Sequence, residues 1–103
     1  MKVNKVAIIT GAGGSIGSKS AKVLSGLGLS CALIDVRKEN AEATKQQLKD
    51  NINHMVLIAD VSTASGVDNV VNKVMTEWGR IDVLVNLAAS NRKSFNINAL
   101  VSR

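Results

Sequence analysis

Short, wholly apolar runs recur along the chain, each ended by a polar residue and followed by a longer segment of mixed character. Val6-Ala7-Ile8-Ile9 stops at Thr10, Cys31-Ala32-Leu33-Ile34 at Asp35, Met55-Val56-Leu57-Ile58-Ala59 at Asp60, and Ile81 to Val85 at Asn86. Runs this short without polar alternation read as strands covered on both faces. Between them the period changes to that of helices. Ile16 to about Leu27 forms one that turns Ile16, Val23, Leu24 and Leu27 toward a sheet; Gly26 weakens its last turn and Gly28 ends it. Asn40 to Asn51 is rich in helix formers and poor in apolar anchors, which predicts an exposed helix. The third carries Val67, Val70, Val71, Val74 and Trp78 at helical spacing, with Ser62 placed to cap it and Gly79 to end it. After Ala89 the pattern fails, so residues 1–89 read as one domain and 90–103 as an irregular C-terminal tail.

Strands alternating with single helices imply parallel pairing through crossovers, hence an open α/β sheet with helices on both faces. The expected strand order is 3-2-1-4. That order sets the loops after the first and fourth strands side by side, at the switch point where such sheets bind ligands. The fourth strand is then an apolar edge, and pairing of two chains through it is the expected mode of self-association.

Composition narrows the function classes. No apolar stretch in the 103 residues approaches the roughly 20 needed to span a bilayer. No secretory leader pattern opens the chain, so a cytoplasmic protein is expected. A single cysteine, Cys31, and a single histidine, His54, leave no set of soft metal ligands; Cys31 reads as a small core residue, His54 as a surface one and Trp78 as packing at a helix end. The net charge of +5 owes to Lys2, Lys5, Arg92, Lys93 and Arg103 near the ends; the body is balanced. With Phe95 and Trp78 the only aromatics, no stacking platform for nucleic acid exists. There is no tyrosine, which closes any mechanism that needs one.

The chemistry concentrates in Thr10-Gly11-Ala12-Gly13-Gly14-Ser15-Ile16-Gly17, between the first strand and the first helix. Glycines there permit a tight turn, a close backbone approach to phosphate and, at Gly17, close packing of helix on strand. The amide groups and positive dipole end of the helix attract a pyrophosphate. An acidic residue ending the second strand, Asp35, completes a dinucleotide-binding pattern. The competing reading is a structural turn in a flavodoxin-like or other α/β domain.

These residues resemble the short-chain dehydrogenase/reductase family from about Val3 to Ala89. Thr10-Gly11 to Gly17 is similar to its TGxxxGxG loop, Asp60-Val61 to its adenine-bordering pair, and Asp82 to Ala89 to its DxLVNNAG segment. Two departures stand out. Ser15 replaces the middle glycine, while Gly11, Gly14 and Gly17 fit the TGxxGxxG spacing of the family's extended branch, which acts on nucleotide sugars. Leu87 and Ala89 replace the second Asn and the Gly of NNAG. Glu77 to Asp82 looks more like the ordinary dehydrogenases. The resemblance implies a three-layer Rossmann-like sheet, truncated after four strands. It also implies a cofactor site of Gly11, Gly13, Gly14, Ser15, Ile16, Gly17, Asp35, Asp60, Val61, Asn86, Ala88 and Ala89. Asp35 would hold the adenosine ribose, so NAD is expected over NADP, with Arg37 softening the preference. Asn86 would position its loop through backbone hydrogen bonds. The family's catalytic Ser and YxxxK have no counterpart. The expected function is therefore the NAD(P)-binding portion of an oxidoreductase, inactive alone. The alternatives are a non-catalytic NAD-binding or interaction module, the nucleotide-binding half of an extended-type epimerase or dehydratase, and a gene fragment without function.

Overall fold

The computed structural model describes residues 4–49 and 51–88. They form β1 (Val6–Thr10), α1 (Ser15–Gly26), β2 (Ser30–Asp35), α2 (Lys38–Gln46), β3 (Met55–Ile58), α3 (Ala64–Trp78) and β4 (Val83–Asn86). The strands pair in parallel in the order β3-β2-β1-β4, as the alternation predicts. Residues beyond Ala88, including Ala89, Arg92, Lys93 and Arg103, lie outside the described set, and with them the expected tail.

Because side chains alternate across a strand, β1 and β2 feed two cores. Val6, Ile8, Ala32 and Ile34 meet Val67, Val70, Val71 and Val74 of α3; Ala7, Ile9, Cys31 and Leu33 meet Ala21 of α1 and Leu48 just past α2. The layers are thus α3, the sheet, and α1 with α2. β1 is buried throughout, whereas β3 and β4 at the two edges are only half-buried. At its lower end β1 is tied to β4 by Asp82, whose carboxylate accepts the Val6 N–H at 2.8 Å and the Arg80 guanidinium at 2.8 Å through both oxygens. The Arg80 hydrogen bond, aided by Val6 N–H, holds the Asp82 carboxyl below its ordinary range.

Several expectations change. Ile16, Val23 and Leu27 do not face the sheet; they are 65, 63 and 72% exposed. The face of α1 that meets the sheet is Gly17, Ala21, Ser25 and part of Leu24. Gly17 explains this: a Cβ there would collide with the Gly11 carbonyl oxygen, so the helix seats on its smallest residue. At 3.6 residues per turn that turns Ile16, Val23 and Leu27 outward. The cap of α3 is Thr63, not Ser62; its hydroxyl accepts the Gly66 N–H at 3.0 Å. Strand three ends at Ile58, strand four begins at Val83, and α2 is shorter than expected and buries Ala41 and Thr44.

Cys31 is buried, and burial pushes its thiol up to about 11. His54 is half-buried rather than a free surface residue: its Nδ1 accepts the Cys31 N–H at 3.0 Å. Nε2 is buried with no hydrogen-bond partner among the described residues. Burial, with Lys45 adding to it, lowers the pKa of the ring; the nearby Lys49 carbonyl favours the protonated form but stands outside hydrogen-bond geometry.

Candidate functional site

At the carboxyl ends of the strands a cleft of about 810 Å³ opens between the glycine loop, the end of β2 with the start of α2, the segment after β3, and the segment after β4. It includes the adjacent ends of β1 and β4, where the strand order passes from the β1-β2-β3 side of the sheet to the other side of β1.

The glycine loop is held from several sides. Gly11 has φ +70°, and a Cβ on it would stand 2.8 Å from the Leu87 carbonyl oxygen, so only glycine lets the loops after β1 and β4 touch. The Gly14 N–H closes the turn onto the Gly11 carbonyl at 3.1 Å, and the Ala12 N–H reaches the Ile34 carbonyl at 3.0 Å. Helix α1 then starts with Gly14 as its N-cap, with no side-chain cap and no acidic residue in its first turn. The first-turn amides of Ser15, Ile16 and Gly17 have no intrahelical acceptor, and no acidic residue stands in that turn.

Asp35, at the end of β2, takes the Gly13 N–H on one carboxylate oxygen at 2.9 Å and the Arg37 N–H on the other at 3.0 Å. Across the cleft, Asp60 accepts the Ser62 N–H at 2.9 Å and the Ser62 hydroxyl at 2.6 Å. It thus shapes the turn into α3 while lining the cleft. Val61 lines the cleft too, with its side chain in the valine core.

Above β1, Thr10 organises the loop that follows β4. Its hydroxyl donates to the Asn86 side-chain oxygen at 2.7 Å and accepts the amides of Leu87 at 3.0 Å and Ala88 at 3.2 Å. The expected role of Asn86 is corrected accordingly: it binds through its side chain to Thr10, and the backbone bonds that fix the loop are made by Thr10.

Of the residues singled out in the sequence, Gly11, Gly13, Gly14, Asp35, Asp60, Val61 and Ala88 come together around the cleft. Ser15, Ile16 and Gly17 do not line it. Gly17 is buried beneath the loop, and Ser15 and Ile16 present their side chains to solvent while their amides stand at the helix start. Asn86 does not line it either; it is exposed, with its side-chain oxygen on the Thr10 hydroxyl. Reading the sequence missed Thr10 as a hub, Asn40 and Ser62 as lining, and Gly66, whose Cβ would collide with the Asp60 carbonyl and which therefore lets α3 start against that strand end. A threonine ending a strand directly before the loop was the available signal for the first; nothing local marks the others.

A model of the family described as short chain dehydrogenase matches residues 5–101. Over 89 residues the chain is 39% identical to D-threitol dehydrogenase of Mycolicibacterium smegmatis, covering 85% of this chain and 34% of that protein. Among solved structures it is similar to NAD⁺-bound xylitol dehydrogenase, with TM-score 0.70 and 34% identity over 82% of this chain and 33% of the other. It is also similar to a metagenomic short-chain oxidoreductase in complex with NADP, with TM-score 0.78 and 29% identity over 84% of this chain and 39% of the other. The chain spans about a third of the length of these relatives.

Proposed function

The chain belongs to the short-chain dehydrogenase family, and on that premise we propose that its cleft binds a nicotinamide dinucleotide, NAD in preference to NADP, as the nucleotide-binding portion of an oxidoreductase. The observation that carries this is the Asp35 carboxylate at the mouth of the cleft, across the glycine loop from an uncapped helix start. The residues fit the group. Two free amides or more at α1 suit a pyrophosphate, and Gly14, where a Cβ would meet nothing nearer than the Gly11 oxygen at 3.4 Å, leaves the approach open. Asp35 suits a ribose diol, which donates to it; a 2′-phosphate would meet like charge there. Asp60 and Val61 would border the adenine, and Ala88 would leave room for the cofactor's ribose. When bound, the dinucleotide supplies the hydride donor or acceptor. These 103 residues contain no tyrosine to exchange a proton with a substrate hydroxyl, so binding without turnover is the expected activity of these residues alone.

Titration of NADH and NADPH fluorescence tests the reading. NADH is expected to bind at least about tenfold more tightly, a difference of about 1.4 kcal/mol, and Asp35→Ala should narrow the gap. Equal affinities in the unmutated chain would overturn the preference.

The edge of β4 favours a second reading, that of a module whose strand edge recruits another chain. Among the described residues β4 pairs only with β1, and Val83, Leu84 and Val85 are half-buried. Light scattering should show association that Leu84→Lys reduces; a monodisperse monomer in both proteins would end this reading.

A further inference from the structure

Thr44 lies in the last turn of α2, is 2% exposed, and makes a contact that its position in the chain does not suggest. A threonine inside a helix ordinarily returns its hydroxyl to the carbonyl one turn earlier. Here the hydroxyl crosses to the glycine loop and donates to the Ala12 carbonyl oxygen at 2.9 Å, over a separation of 32 residues. That carbonyl and the Gly13 N–H belong to one peptide unit. The N–H end of the same unit is taken by Asp35 at 2.9 Å. A Cβ on Gly13 would run into Asn40, one turn before Thr44, so the peptide is also packed against the start of α2.

We infer that Thr44 is a positioning residue for the candidate site: it holds the Ala12–Gly13 peptide by its carbonyl end, so that the Gly13 N–H stays directed at the cleft when a ligand takes over the Asp35 carboxylate. This rests on the reading of the cleft as a dinucleotide site. Without ligand both clasps act. Once ribose hydroxyls donate to Asp35, the carboxylate has less capacity for Gly13, and Thr44 becomes the remaining clasp against a flip of the peptide. The Gly13 N–H is then free to donate to a ribose oxygen lying between it and Asp35. A flipped peptide would put a carbonyl oxygen next to the carboxylate and its ligand, a repulsive arrangement, and would leave the Thr44 hydroxyl without its acceptor in a buried place.

Thr44→Val keeps the shape and removes the donor; Thr44→Ser keeps the donor. Amide hydrogen exchange on the unliganded proteins is the first measurement. In Thr44→Val the Gly13 amide should exchange about tenfold faster while the amides of β1 and β2 keep their protection, and Thr44→Ser should restore Gly13. Unchanged Gly13 protection, or loss of protection through β1 and β2 to the same extent, would overturn the inference. NADH titration is the second. Thr44→Val should bind about five- to tenfold more weakly, the loss expected of one hydrogen bond, with Thr44→Ser near the unmutated chain; equal binding by Thr44→Val would overturn it. If the unmutated chain binds no dinucleotide, the proposed function fails, and the exchange of Gly13 alone decides whether Thr44 clamps the loop.

Discussion

Helices α1 and α3 follow their strands in the same way and begin in opposite conditions. Each starts against the chain that precedes it through a glycine: Gly17 on the Gly11 carbonyl, Gly66 on the Asp60 carbonyl. Beyond that they diverge. α3 is finished by its own residues, with the Thr63 hydroxyl on the Gly66 amide at one end and Gly79, at φ +75°, turning the chain away at the other. α1 has a glycine N-cap, no side-chain acceptor and no carboxylate in its first turn. Capping a helix with Ser, Thr, Asp or Asn contributes about 1 kcal/mol, and α1 forgoes it beside the paired ends of β1 and β4. On the proposed function the start of α1 is left for an outside acceptor, whereas the start of α3 only has to be stable.

Substitutions at corresponding positions break or sharpen that contrast. The largest effects should come where the two helices agree: Gly17→Val and Gly66→Val each force a side chain into a carbonyl oxygen, and each should cost about 3 kcal/mol or more in urea unfolding, a large part of the roughly 5–15 kcal/mol a domain has. If Gly17→Val alone were tolerated, α1 would not be seated as described. A smaller and different effect belongs to Gly14→Val. It should lower NADH affinity at least about tenfold while shifting stability by no more than about 1 kcal/mol; unaltered binding would show that the loop is only a turn. The smallest is Thr63→Ala, expected to cost about 1 kcal/mol in the same unfolding experiment and nothing in NADH affinity. A loss of affinity there equal to that of Gly14→Val would erase the distinction between the two starts.

What could be read in the sequence was what repeats locally. The four apolar runs and the valine stripe of α3 are patterns within a few residues of one another, and the sheet order followed from them. The face of α1 was misread because apolar character is a poor guide where a helix must come close: Gly17 and Ala21 pack by being small, and Val23 and Leu27 lie outside although they are larger. The glycine loop and Asp35 were legible because each stands where an apolar run ends, and the Asp60-Val61 pair was legible through its resemblance to the family's motif. Thr44 on Ala12 and Thr10 on the loop after β4 were not, since each joins segments that only the folded sheet brings together. Nor does any local pattern tell Thr63 from Ser62 as the cap, because both are hydroxyl residues beside the same turn and only the direction of the chain after Asp60 decides.

Strand β1 is fastened to β4 at both ends, by Asp82 on Val6 below and by Asn86 and Leu87 on Thr10 above, and the first two of these fastenings close over 76 residues. During synthesis at roughly 5–20 residues per second, β1 therefore waits about 4 to 15 seconds between its own appearance and that of the strand that completes it. Pairing with β2 needs a far shorter stretch of chain, so the β1–β2 pair is available early with one side of β1 open. Of the two central strands β1 is thus the one whose second edge waits longer for its partner, and the period in which it can meet the wrong one is set by the distance in sequence to Asp82.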